Sequence, residues 1–214
     1  MNATARTCLY AVRHGETEWN RAGKAQGHFD SPLTESGVLQ AKALATALVG
    51  RGIEVIYSSD LGRAMQTASA IGQALGLEVH TDTRLRERHL GVMQGRTPDE
   101  IRQEFPEVWE GCTSGDPDFC FPGGESARQR YERNVAFAEA IAARHAGKTI
   151  LVVAHGGVLN SFFTRALCIP LPEPRRFSLF NAAINQFSVR ADDWRLESWG
   201  DTHHLSDTPP LDDA

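Results

Sequence analysis

Long apolar runs are missing from this chain. No stretch approaches the ~20 consecutive apolar residues that span a bilayer, and residues 1–12 lack the charged start and long apolar core of a signal peptide. The expectation is a cytoplasmic protein with no membrane partner. Basic excess is missing as well: 22 Lys and Arg face 27 Asp and Glu, a formal net charge of -5. That balance provides no global attraction to nucleic acid, so any anion site must be a local cluster. Cysteine is scarce. Cys8, Cys112, Cys120 and Cys168 are scattered and form no CxxC pair, which argues against a zinc site or a disulfide framework and for free, mostly buried thiols. There is no internal repeat and no low-complexity segment.

What is present is ordinary globular composition, 214 residues of which 41% are hydrophobic, enough for one domain over residues 1–214 with one sizeable core. A short apolar run at 8–12 reads as a buried parallel strand that ends at Arg13, His14 and Gly15. Thr34 is placed to N-cap a helix running to about Gly50, with Leu33 and Val38 spaced as a hydrophobic staple. Residues 53–57 form a second strand. Asp60 is placed to cap the next helix, whose apolar positions Leu61, Met65, Ala68 and Leu75 recur at helical spacing and put Arg63 in its first turn.

A short strand at 78–80 precedes a loop-rich segment, 84–124, with a helix at about 98–109 that Pro106 should kink or end. A long helix at 126–145 follows, then a strand at 149–154 that ends at His155, and late strands at 183–189 and 194–199. The tail after Ser206 is polar and expected to be loose. Strands alternating with helices predict an α/β fold, a three-layer sandwich with a mainly parallel central sheet flanked by helices. Ligands bind such sheets beyond the carboxyl ends of the strands, where both Arg13-His14 and His155 fall.

By composition, an RHG triplet occurs by chance in roughly 1 to 2% of chains this long, so the triplet alone is only suggestive. Its strand-end placement, its extension to RHGETEWN at 13–20 and the second strand-ending His155 add weight. With QG at 26–27, PLTESG at 32–37, SSDLGRAMQTA at 58–68, LRERHLG at 85–91, GGES at 123–126 and AHGG at 154–157, the chain resembles the histidine phosphatase superfamily in its phosphoglycerate mutase-like branch. The resemblance covers nearly the whole length.

It implies that His14 is a nucleophile that takes the phosphoryl group, flanked by Arg13 and Arg63. Guanidinium forks match phosphate oxygens and, as like charges, keep the imidazole neutral. It further implies His155 as a cation on a phosphate oxygen, Asn20, Gln26 and the backbone N–H of Gly156 as phosphate donors, and Glu87 as proton donor to the leaving group. No metal or other cofactor is expected, and the partner is a small phosphorylated metabolite.

Judged singly, Arg63 and Glu87 read as solvated surface charges and His155 as a satisfied core histidine. Jointly, in family order, they do not. The segment from Glu87 to Gly123 is shorter than in the phosphoglycerate mutases, and Leu90 stands where those place a Tyr; both favour a phosphatase over mutase-type transfer. A complete catalytic set also weighs against a module that binds phospholigands without turnover. Arg84, Arg86, Arg88 and Arg96 are candidates for a substrate carboxylate, the loop at 111–124 is expected to border the pocket, Trp109, Trp194 and Trp199 read as packing, and His203-His204 lacks ligand spacing for a metal. A homodimer is the commonest assembly for proteins of this sort.

Overall fold

The computed structural model describes residues 5–171, 173–191 and 193–206; the tail after Ser206 lies outside the described residues. Its centre is a six-stranded sheet in the order β3-β2-β4-β1-β5-β6, built from β1 (Thr7–Arg13), β2 (Val55–Ser58), β3 (Val79–Thr81), β4 (Thr149–Ala154), β5 (Ile184–Arg190) and β6 (Asp193–Asp201). β3, β2, β4 and β1 run parallel; β5 turns antiparallel to β1 and carries β6 at the edge. The sheet is therefore mainly parallel, and the fold is the expected α/β sandwich.

Side-chain alternation along the strands divides the core between two faces. Leu9, Ala11, Ile150, Val152 and Ala154 meet α6 (Ala127–Arg144) and α7 (Gly156–Ala166) through Phe137, Ala138, Ile141, Val158 and Phe162. Tyr10, Val12, Leu151 and Val153 face the other way, onto Leu44, Leu48, Ala64, Ala68 and Ile71 of α2 (Glu35–Leu48) and α3 (Gly62–Leu75). Strands covered on both sides need apolar residues at every position, which is why β4 reads TILVVA. A smaller cluster, Met93, Ile101, Val108 and Phe121, holds α4 (Pro98–Glu104) and α5 (Pro106–Thr113) together as a separate wall.

Local signals explain most boundaries. Thr34 caps α2 by accepting from Gly37 N at 2.9 Å, and Ser126 caps α6 in a reciprocal box with Gln129. Pro106 ends the first short helix and opens the second at its N1 position, where its missing N–H costs nothing; α5 then continues to Thr113.

Two expectations need correction. Asp60 does not cap α3: it pairs with Arg86 through two bonds at 2.8 and 2.5 Å, and the cap comes from Asp30, whose carboxylate accepts from Gly62 N and from Arg63 N. A residue 32 positions upstream of the helix can do this because the loop after α1 (Glu18–Arg21) folds across its start. The cysteines are free but not mostly buried. Cys8 and Cys112 are partly covered, while Cys120 in a loop and Cys168 just past α7 are exposed, since none falls in the middle of a core-facing element.

Candidate active site

Parallel pairing brings the two histidines together. Arg13 is opposite Ala154 across β1 and β4, and His14 N donates to Ala154 O at 3.0 Å, so the residues that follow each strand emerge side by side. The rings of His14 and His155 lie edge to face with centroids 5.2 Å apart. The chain can turn there because Gly15 and Gly37 pass in backbone contact: a Cβ on Gly15 would stand 2.4 Å from Gly37 O, and one on Gly37 would stand 2.0 Å from Glu16 O. The RHG and PLTESG motifs are two sides of one close approach.

The contacts of His14 select its tautomer. Nδ1 lies 2.8 Å from Gly15 O, and a carbonyl only accepts, so Nδ1 carries the proton. Nε2 lies 3.3 Å from Arg63 Nε, which only donates, so Nε2 holds a lone pair. Burial, with Arg63 and Arg13 adding like charge, holds the imidazole well below the usual histidine range despite the Gly15 bond. His14 is thus a neutral imidazole with its basic nitrogen turned to Arg63. That guanidinium is held in turn by Gly27 O and Phe29 O, each at 2.8 Å, and by Asp30 at 3.1 Å. Arg13 is anchored through Nη1 on Leu179 O.

The protein groups around His155 favour its neutral form. Burial, then Arg63, His14 and Arg13, push its pKa well below the ordinary value. Its Nε2 lies 2.8 Å from Ser59 Oγ, and its buried Nδ1 has no partner among the described residues.

Glu87 reaches the site from the loop after β3. Its oxygens accept from Arg88 N at 2.7 Å and from Gly157 N at 2.9 Å. Burial raises its pKa most, but Arg130, the two backbone donors and Arg63 outweigh that and leave it below the ordinary value. These groups favour the ionised carboxylate. Gly157 has no room for a side chain, since a Cβ there would stand 2.1 Å from Glu87 Oε1.

Arg13, His14, Arg63 and Glu87 line one cleft of about 800 Å³, together with Asn20, Gln26 and Gly156, and His155 packs behind His14. Asn20 uses its Oδ1 as the N3 partner of a capping box with Thr17, and Gln26 turns its NH₂ to Thr17 Oγ1 at 2.9 Å. Gly156 is the first residue of α7, where an N–H has no intrahelical acceptor, and it lies against Arg13.

The remaining walls differ from expectation. No described residue of 111–124 lines the cleft; Leu90, Met93, Pro98, Ile101 and Trp109 do, so Trp109 is a wall residue as well as a packing one. The 111–124 loop stands behind Arg88 and fixes it, with Phe119 O accepting from its Nη2 at 2.8 Å and the Phe121 ring 4.1 Å below it. Burial pushes the Arg88 guanidinium down to about 10. Of the four arginines near Glu87, only Arg88 lines the cleft; Arg84, Arg86 and Arg96 pair with Asp82, Asp60 and Glu104. His203 pairs with Asp201 and His204 with Ala182 O, and no group of metal-ligating residues occurs among the described residues.

Arg130 was missed in the sequence. It lines the cleft from α6, and the signal was its place four residues before Asn134 and seven before Phe137, on the buried stripe of that helix.

A family model described as histidine phosphatase superfamily (branch 1) matches residues 9–202. Phosphoglycerate mutase-like protein 4 of Arabidopsis thaliana is 41% identical over 205 residues, 94% of this chain and 87% of that protein. Among solved structures, Bacillus stearothermophilus YhfR superposes with a TM-score of 0.86 at 33% identity, over 93% of this chain and 99% of that one. An Entamoeba histolytica phosphoserine phosphatase in complex with 3-phosphoglyceric acid gives a TM-score of 0.83 at 32% identity, over 93% and 99%. With nearly the full length matched and the shared motifs gathered in one cleft, this chain belongs to branch 1 of the histidine phosphatase superfamily.

Proposed function

We propose that the protein is a metal-independent phosphatase that hydrolyses a small phosphomonoester through a phosphohistidine on Nε2 of His14. The observation that carries this is the tautomer: Nδ1 is tied to Gly15 O, which leaves the Nε2 lone pair at the cleft beside two guanidinium groups. Arg13, Arg63 and the Gly156 N–H hold the dianion and stabilise the charge spread over its equatorial oxygens. His155 supplies its unpartnered Nδ1 once the dianion offsets the neighbouring cations and favours its protonated form.

In the first step Nε2 bonds phosphorus as the ester P–O bond breaks, and protonated Glu87 gives its proton to the departing alkoxide. The surrounding protein groups favour ionised Glu87, so substrate must help protonate it: the incoming dianion counters Arg130 and Arg63. In the second step water attacks phosphorus, the N–P bond breaks and Glu87 takes the proton from water, releasing inorganic phosphate. The wide cleft that admits water and the phosphatase among the structural relatives support hydrolysis.

The mutase-like relative supports a second reading, in which the same phosphohistidine passes to a substrate hydroxyl. Rapid acid-free quenching of turnover decides the nucleophile: acid-labile, base-stable phosphate on the wild type, absent from a folded His14→Ala, is the expected result. Phosphate on a serine or aspartate refutes it. Turnover in ¹⁸O-water separates the two readings, since hydrolysis places one labelled oxygen in each phosphate released, whereas a mutase isomerises its substrate without release.

A further inference from the structure

Arg130 takes no part in the phosphoryl-transfer scheme beyond its charge near Glu87, although it stands in the cleft. It is the fourth residue of α6, near the positive end of the helix dipole, where a cation is repelled rather than held. Its neighbours on that helix are compensated: Arg128 pairs with Asp118 at 2.6 Å, and Arg133 with Glu125 at 2.6 Å and with three backbone carbonyls. The Arg130 guanidinium has neither a hydrogen bond nor an ion pair among the described residues, and its Nε is sealed from solvent with no acceptor. A buried donor left unmet is costly, and five forked N–H groups beside a cleft have the geometry for an oxyanion.

Charge in the cleft points the same way. Among the described residues, Arg13, Lys24, Arg63, Arg88, Arg130 and Arg175 line it with one lining carboxylate, Glu87.

We propose that Arg130 binds a second anionic group of the substrate and so selects phosphomonoesters with a carboxylate or second phosphate near the ester. This rests on the phosphatase reading above. Nη1 of Arg130 lies 3.0 Å, and Oε1 of Glu87 2.1 Å, from the point a Gly157 Cβ would occupy, so the two atoms are at most about 5 Å apart. Because Glu87 must reach the ester oxygen, the anion on Arg130 lies one or two carbons from the ester carbon.

The test compares ethyl phosphate, phosphoglycolate and ethylene glycol bisphosphate, which share a two-carbon skeleton and differ in the second group. Wild-type protein should prefer one of the two doubly anionic esters over ethyl phosphate in kcat/KM, and which one it prefers separates carboxylate from phosphate. Arg130→Gln should lower that preference about 10- to 100-fold, mainly through KM, and Arg130→Lys should restore part of it. Turnover of p-nitrophenyl phosphate by each variant verifies that the site is assembled. An unchanged preference in Arg130→Gln overturns the assignment. If the wild type turns over no ester, the phosphatase reading fails. Calorimetric binding of phosphoglycolate against ethyl phosphate, wild type against Arg130→Gln, then decides Arg130 separately.

Discussion

Replacing Gly157 by Ala asks whether Glu87 acts through its position. Gly157 is the second residue of α7, and a Cβ there would stand 2.1 Å from Glu87 Oε1 and 3.0 Å from Arg130 Nη1. The carboxylate must retreat by more than about 1 Å to reach ordinary contact, and a displacement of that size at a reacting group costs about 10² in rate. The fold should tolerate the change. Gly157 is not among the left-handed glycines, and Ala is favoured over Gly within a helix by roughly 0.5–1 kcal/mol, which offsets part of the ~1–3 kcal/mol of overpacking.

An alkyl phosphate expels a basic alkoxide that needs the acid, whereas p-nitrophenyl phosphate expels a stable phenolate that hardly does. Single-turnover release of the leaving group should therefore fall about 10²-fold for the alkyl ester and far less for the nitrophenyl ester. Glu87→Gln sets the ceiling on the same contrast, a loss on the order of 10² to 10⁴ for the alkyl ester. Equal losses for both esters, or none for either, would refute Glu87 as the positioned acid.

Stability should depend on the buried histidines. His14 and His155 are held well below the ordinary value of about 6.5, so as pH falls past that value the unfolded chain binds protons that the fold does not. Their contribution is complete above about pH 6.5 and is lost towards the folded values, by up to about 1.4 kcal/mol per pH unit for each; His28, His145 and His204, also lowered, add in the same direction. Urea midpoints from pH 7 to pH 5 should fall, and His14→Asn should flatten the slope; identical slopes in the two proteins would contradict the burial argument. Because Arg13, Arg63 and His155 supply the charge stabilisation, turnover should persist through exhaustive chelation. Loss in chelator that a divalent ion restores would overturn that expectation.

The sequence by itself determined the element order and the strand-end histidines, because buried parallel strands need unbroken apolar runs and because the chain turns where those runs stop. It also carried the motif residues, each with a side chain suited to phosphate or proton. What it could not determine was contact between segments far apart in the chain. Asp30 rather than Asp60 caps α3, because the cap is supplied across a loop and not by the preceding residue. The lowered pKa of His155 depends on burial beside Arg63 and Arg13, which only packing creates. Residues 111–124 stand behind Arg88 instead of facing the cleft, because Phe121 is drawn into the small cluster with Met93, Ile101 and Val108. Arg130 reads as one more solvated helix arginine in the sequence, but the fold turns it onto Glu87 and Gly157, where burial makes its unmet donor count.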